Sequence, residues 1–395
     1  MKILLIVSLV LFCIKRTLTN ESNEETTQKA SLKKNPPPYY NGTEKIYYYY
    51  DNKSIPGTVA SIFNFIRRYT CLNFHLKNDK PISNTIGINI LKSTNNKSEV
   101  QVSNNTNCPT NVSLTEDDYN NGTSLRFYLG IALDLITEVS RPDRDKEVDV
   151  VNENIDEKYK QYFNETKKED VPYLMDTEFD FKSPMFFGPQ FGVKAGKDYT
   201  YTVKLYKDYE YFSNGFKIFQ HNDYKHLFYY YCPKSTTIDC KNGGYYPSNN
   251  DFQSKCKCPD QFTGDNCEKI NPNKDGCDGK QRDFTANTTE QEFTINGTKG
   301  VCYFNVSSEN GNKVLITIKA LTLGNSECET TKSQLQVLVR NDKGAAGINF
   351  CRDKNTSILL PQLSNNTLLV FTSRNETTSL TFLYKASPEQ ESKNT

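Results

Sequence analysis

The chain has three histidines, His75, His221 and His226, among its 395 residues. Imidazole, thiolate and carboxylate groups are the side chains that hold a catalytic metal or move protons near neutral pH. His75 stands alone in a short strand-like stretch. His221 and His226 lie five apart, a spacing that does not align side chains on a helix, and no cysteine or carboxylate cluster accompanies them. They read as solvated or partly packed histidines. The sharpest charged signature is Glu138-Val139-Ser140-Arg141-Pro142-Asp143-Arg144-Asp145, preceded from Phe127 by an almost wholly apolar run. Read as a helix, this run puts Phe127, Ile131, Leu135 and Glu138 on or near one stripe at i, i+4, i+8 and i+11.

The charged tail resembles the segment that closes the zinc helix of the astacin metalloproteases. That family carries H-E-x-x-H-x-x-G-x-x-H-E-x-x-R-P-D-R-D, a metzincin motif with three zinc-binding histidines and a catalytic glutamate. Counting back from Arg141, the ligand positions fall on Phe127, Ile131 and Thr137, and the general-base position falls on Tyr128. Asp134 takes the place of the motif's turn glycine, while Gly130, Ala132, Leu133 and Glu138 match. A catalytic zinc takes about three protein ligands bearing N, S or O. Phe127 and Ile131 have no lone pair to give, and a lone threonine hydroxyl is a poor ligand at neutral pH. Tyrosine, with an ordinary pKa of about 10, does not replace a carboxylate base. The expectation is that there is no metal cofactor and no catalytic residue; zinc remains the alternative that family membership alone would imply.

More of the frame resembles the family. Lys45 to Tyr50 reads as a strand. Thr58 to Tyr69 reads as a helix with Val59, Ile62, Phe63 and Ile66 on one face. Thr70-Cys71-Leu72-Asn73-Phe74 is similar to the family's T-C-I-x-F at the second strand, and Thr85 to Leu91 alternates as a third. Asn121-Gly122-Thr123 makes a helix start. Asp180-Phe181-Lys182-Ser183-Pro184-Met185-Phe186-Phe187-Gly188 is similar to the Met-turn S-x-M-H-Y-G. Met185 is kept there, and the tyrosine that the family places beside zinc becomes Phe187. The large apolar replacements suggest that the old metal pocket is filled and packed, with Met185, Glu138, Arg141 and Asp143 in structural roles. The resemblance implies a two-subdomain α+β metzincin-like domain over residues 41–232.

Net charge is +1 with both signs interspersed, which leaves no footprint for nucleic acid. Residues 1–18 resemble a signal peptide whose apolar core is too short to span a bilayer, and no later segment makes a membrane span. Residues 19–40 form a polar, proline-ended arm or remnant propeptide. Sequons at Asn20, Asn41, Asn52, Asn96, Asn104, Asn111, Asn121, Asn164, Asn287, Asn296, Asn305, Asn355, Asn365 and Asn375 suit a secreted glycoprotein. The tyrosine runs Tyr47–Tyr50 and Tyr229–Tyr231 read as compositional bias.

Of the twelve cysteines, eleven remain once Cys13 is assigned to the signal peptide. The resemblance pairs Cys71 with Cys232. Residues 233–268, with C-K-N-G-G and C-K-C-P, resemble an EGF-like module with Cys240–Cys256 and Cys258–Cys267 bridges. Residues 277–385 contain short alternating segments that argue a β-sandwich, and their order after the other two modules suggests a CUB-like domain with Cys277–Cys302 and Cys328–Cys351. Cys108 is left unpaired, free to join a second chain or stay buried. Residues 386–395 form a tail. The reading is a secreted, extracellular homologue of the astacin metalloendopeptidases that has lost activity and binds extracellular proteins or glycans through its EGF-like and CUB-like modules. The alternatives are an active zinc metalloendopeptidase and a structural extracellular protein.

Overall fold

The computed structural model describes residues 45–51, 56–103, 107–174, 176–206, 216–232, 238–247, 255–309, 311–324 and 332–387. The stretches expected as signal peptide and arm, Cys13, Cys328, most of the expected tail and the sequons at Asn20, Asn41, Asn52 and Asn104 lie outside these residues. Among the described residues no helix is long and apolar enough to cross a membrane.

Strand β1 (Lys45–Tyr50) starts a five-stranded sheet with β2 (Asn73–Leu76), β3 (Ile88–Lys92), β4 (Glu99–Gln101) and β5 (Thr110–Leu114), in the order β2-β1-β3-β5-β4. All pairings are parallel except the edge pair β4 and β5. Parallel neighbours need a crossover, and helix α1 (Pro56–Tyr69) supplies the one from β1 to β2. Its stripe of Val59, Ile62, Phe63 and Ile66 is buried against the sheet. Phe63 there meets Tyr48 at a ring separation of 4.5 Å and Phe74 at 4.3 Å. The Tyr47–Tyr50 run therefore takes part in packing, since its alternation sends Tyr48 into the core. The third strand begins at Ile88 rather than Thr85, because Asn84 turns with φ of 57° and the chain reaches the sheet only after it.

Two short helices follow, α2 (Glu116–Asn120) and α3 (Gly122–Ala132). A second half of the domain is mostly 3-10 turns, the small β6 (Val148–Val150) and β7 (Tyr201–Val203) pair, and helix α4 (His221–Tyr231). A disulfide from Cys71 to Cys232 ties the end of α4 back to the start of β2.

Residues 238–275 form a small unit with the hairpin β8 (Phe262–Thr263) and β9 (Lys269–Ile270), closed by Cys240–Cys256 and Cys258–Cys267. So little chain buries too small a core to hold its shape without such bridges. Two further sheets complete the molecule. One runs β10 (Lys274–Asp275), β13 (Gly300–Ser308), β18 (Asn366–Ser373), β15 (Gln334–Leu338), β16 (Ile348–Phe350), with β11 (Asp283–Ala286) also on β13. The other runs β12 (Gln291–Asn296), β19 (Ser379–Ser387), β14 (Lys313–Thr322), β17 (Ile358–Leu359). Rings of Phe284, Phe293, Phe304 and Phe382 fill the space between the sheets, Phe284 and Phe293 lying 4.9 Å apart. Cys277 pairs with Cys302.

One expectation is corrected here. Cys108 is disulfide-bonded, and no cysteine among the described residues is free. Cys351 is disulfide-bonded as well, while its expected partner Cys328 lies outside the described residues.

Candidate functional site

Helix α3 starts on Asn121, whose Oδ1 accepts hydrogen bonds from the Thr123 and Ser124 amides at 2.9 and 3.0 Å, an N-cap that satisfies two orphan donors. It ends sooner than the apolar stripe suggests. Ala132 is its last residue, Leu133 caps it, and Asp134 turns the chain with φ of 60°. Leu135 and Glu138 are therefore off the helix, and Glu138 opens a separate 3-10 turn. The left-handed turn costs a residue with a Cβ roughly 1–2 kcal/mol, less for Asp and Asn than for others. Two side chains of α4 hold it: Tyr230 Oη donates to Asp134 Oδ2 at 2.5 Å, and Tyr231 Oη to the Leu133 carbonyl at 2.8 Å. Both tyrosines belong to a run that reads, from sequence alone, as compositional bias.

Phe127 is 4% exposed and sits in an aromatic cluster. Its ring meets Tyr128 at 5.0 Å, Phe191 at 5.3 Å, Tyr162 at 5.6 Å and Phe187 at 5.8 Å, each edge to face. Such pairs add about 0.5–1.5 kcal/mol beyond their burial. Phe187 in turn lies 4.3 Å from Phe191 and 4.9 Å from Phe163. Ile131 is half-buried and packs on the same core. Thr137 is buried, and its Oγ1 donates to the Tyr162 carbonyl at 2.6 Å. Gly130 lets α3 press on the Met-turn, since a Cβ there would collide with Met185 Sδ.

These residues do not fit a zinc ion. Two of the three ligand positions carry hydrocarbon, and the third spends its hydroxyl on a backbone carbonyl. Tyr128 at the base position is buried, and burial pushes its phenol far above the ordinary value. Among the described residues no group of three or more His, Cys, Asp or Glu is placed to hold a metal ion. His226 Nε2 lies 2.7 Å from Thr177 Oγ1 and His221 Nε2 lies 2.9 Å from the Gly243 carbonyl. Burial lowers both, His221 to about 4, so both rings are neutral near pH 7.

Beneath the cluster lies a buried charged layer in which Glu138 and Arg141, expected in structural roles, join Asp180, Lys217 and Asp223, which the sequence did not single out. The Glu138 amide donates to the Met185 carbonyl at 3.0 Å, and Glu138 Oε2 accepts from the Asp180 amide at 3.1 Å. Asp223 Oδ1 accepts from Ser183 Oγ at 2.6 Å. Lys217 Nζ donates to the Phe181 carbonyl at 3.2 Å and also to the Phe186 carbonyl. Burial raises Glu138 to about 8 and Asp223 to about 7, and lowers Lys217 to about 7. Arg141 forks onto Asp143 at 2.8 and 3.1 Å and donates to the Thr177 carbonyl at 2.7 Å. Burial opposes the Asp143 charge, but Arg141 outweighs it and holds this carboxyl below its ordinary range.

An open cleft of about 650 Å³ remains above Phe127, Tyr128, Phe187 and Phe191, with Asp118, Asn121 and Gln190 among its polar walls. Its floor offers aromatic faces and its rim amide and carboxyl groups.

Residues 36–231 match the family model described as Astacin, a peptidase family. The chain is similar to the zinc metalloproteinase nas-34 of Caenorhabditis elegans, 27% identical over 248 residues, which cover 61% of this chain and 38% of that protein. It is also similar to the zinc metalloproteinase dpy-31 of the same organism, 33% identical over 162 residues, 40% of this chain and 26% of that one. The chain thus spans well under half the length of these curated relatives. Among solved structures, high choriolytic enzyme 1, a hatching enzyme zinc-protease from Oryzias latipes, aligns with 21% identity and a TM-score of 0.37, covering 53% of this chain and all of that one.

Proposed function

The chain belongs, through residues 36–231, to the astacin family, and from that premise we propose that it is a catalytically inactive member that works by binding. The observation that carries this reading is the packed state of the former metal positions, above all Phe127 inside an aromatic cluster and Thr137 bonded to the Tyr162 carbonyl. Zinc hydrolysis needs a metal-bound water and a base beside it. Here the ligand side chains are replaced and Tyr128 stays a neutral phenol.

The protein is exported, and its disulfides suit an oxidising compartment. The two-bridge unit is EGF-like, and the two-sheet unit of residues 277–385 is CUB-like. These two units offer surfaces to extracellular proteins or glycans.

Metal analysis and a digest test the reading. Purified protein is expected to contain well under one zinc per chain and to cleave neither casein nor a peptide mixture. Stoichiometric zinc, or cleavage stopped by phenanthroline, would overturn it and restore the active metalloendopeptidase.

A further inference from the structure

The cap residue of α3 has a second half. Asn121 is exposed, its Oδ1 is committed to the Thr123 and Ser124 amides, and its Nδ2 makes no hydrogen bond among the described residues. It begins the sequon Asn121-Gly122-Thr123. Phe216 stands beside it at 75% exposure, the largest value among the exposed large hydrophobics described. The Arg126 guanidinium lies 5.4 Å from the ring centroid, and a Cβ on Gly122 would come within 2.9 Å of the ring. So the aromatic surface lies directly against the residue that follows Asn121. Phe216 also lines both the 650 Å³ cleft and a neighbouring one of about 450 Å³.

We propose that Asn121 carries an N-linked glycan whose first sugar packs on Phe216 and roofs the cleft. An aromatic ring this exposed is costly in water unless something covers it. A sugar has an apolar face of C–H bonds suited to the electron-rich face of such a ring. The attachment is a transfer from a lipid-linked diphosphate oligosaccharide. The Nδ2–C1 bond forms, the C1–O bond to the diphosphate breaks, and Nδ2 loses one proton. Because Oδ1 alone serves the cap, the modified side chain keeps the helix start intact. Asn305 is the contrasting case: its Oδ1 accepts from Asn366 at 2.7 Å, but its Nδ2 already donates to Asp283 at 3.1 Å, so a glycan there would compete with that donor bond. The consequence for binding is that the floor of the cleft is closed to protein-sized partners, which must dock elsewhere.

This inference rests on export through a secretory pathway, so the experiment separates the two. The full chain, secreted from a eukaryotic host, is mapped by glycopeptide mass spectrometry, and Phe216 oxidation is measured by hydroxyl-radical footprinting. Asn121 is expected to be occupied, and Asn121→Asp, which keeps the cap oxygen, is expected to raise Phe216 oxidation several-fold. Bare Asn121 beside glycosylated Asn164, Asn287 or Asn375 would overturn the inference alone, as would unchanged Phe216 oxidation in Asn121→Asp. Glycan at no sequon would overturn this inference and the export reading together.

Discussion

Phe127 serves the folded core through ring contact and Thr137 through hydroxyl bonds to the Tyr162 carbonyl and Ser140 Oγ, and this sets what their replacement costs. Truncating a buried phenylalanine to alanine removes its transfer energy and leaves a cavity, together about 3–5 kcal/mol. Phe127→Ala is expected to fall in that range by urea denaturation, because its ring touches four others. A cost under about 1 kcal/mol would mean the site is empty rather than packed. Thr137→Val keeps the shape but strands the Tyr162 carbonyl, which costs about 1–3 kcal/mol. At this scale the sequence was informative where a motif supplied a register, so that Phe127, Tyr128, Ile131 and Thr137 could be numbered before any contact was known. It was silent on Tyr230 and Tyr231, which sit in a run of identical residues with no periodicity to mark them. Their hydroxyls matter because Asp134 turns where the motif has glycine, a long-range dependence that no local pattern carries. Phe216 was missed for a related reason, since a single aromatic becomes noteworthy only when exposure is known.

The Met-turn and the start of α4 are joined by charge rather than by apolar packing alone. Lys217 donates to two Met-turn carbonyls while facing Asp180, Asp223 and Glu138. Replacing it by methionine would strand those acceptors and remove one of the cations near the carboxyls, while Glu138 keeps Arg141 at 3.7 Å. Each stranded buried carbonyl costs about 1–3 kcal/mol. The pH dependence follows from the direction of each shift. Glu138 and Asp223 bind protons more tightly folded than unfolded, being raised to about 8 and about 7. Their contribution is fully present below about pH 4, their ordinary range, and is lost as pH rises through 7 and 8. Lys217 runs the other way: lowered to about 7, its contribution is present above its ordinary pKa of 10.5 and is lost as pH falls through 7. Removing it leaves the carboxyl trend unopposed, so the Lys217→Met urea midpoint should drop more steeply between pH 6 and pH 9 than that of the native chain. Asp223→Asn should flatten the native profile over the same interval. Equal slopes in all three proteins would show that these groups do not titrate on unfolding. Elements with strong alternation, such as β12, β14, β15 and β19, were legible from sequence. The central strands β13 and β18 were not, because each carries a continuous apolar run, Val301–Phe304 and Leu368–Phe371, in place of alternation.

At the scale of the whole molecule, the protease-like domain and the β-sandwich share a buried polar seam. Arg340, just beyond β15, forks onto Glu147 at 2.9 and 2.7 Å and reaches Glu178 at 3.2 Å. Its guanidinium lies 5.8 Å from the ring of Phe181, in the Met-turn segment. Asp342 continues the seam: its amide donates to Glu178 Oε1 at 3.0 Å, and its Oδ2 accepts from the Glu178 amide at 3.0 Å and from Asn222 Nδ2 at 2.7 Å. The small disulfide unit enters at the same place, where Gly243 takes φ of 80° and a Cβ would meet the Gly344 amide nitrogen at 2.7 Å. Three modules therefore meet on one loop, and the apolar core runs continuously from the protease-like domain into the sandwich. The Cys71–Cys232, Cys240–Cys256, Cys258–Cys267 and Cys277–Cys302 pairs were readable from spacing and resemblance, but this seam was not, because Glu147, Glu178, Arg340 and Asp342 look like ordinary surface charges until the domains are docked. Removing Arg340 leaves Glu147 buried and unpaired, and breaking such a pair costs about 3–5 kcal/mol. Native protein is expected to unfold in one calorimetric transition, since domains sharing a core and a buried fork cannot release separately without exposing both. Arg340→Ala is expected to split that transition, with the protease-like domain melting first because its Met-turn loses the support of the sandwich. A single unshifted transition in Arg340→Ala would mean that the modules are coupled by apolar contact alone and that the seam is only a surface feature of the docked pair.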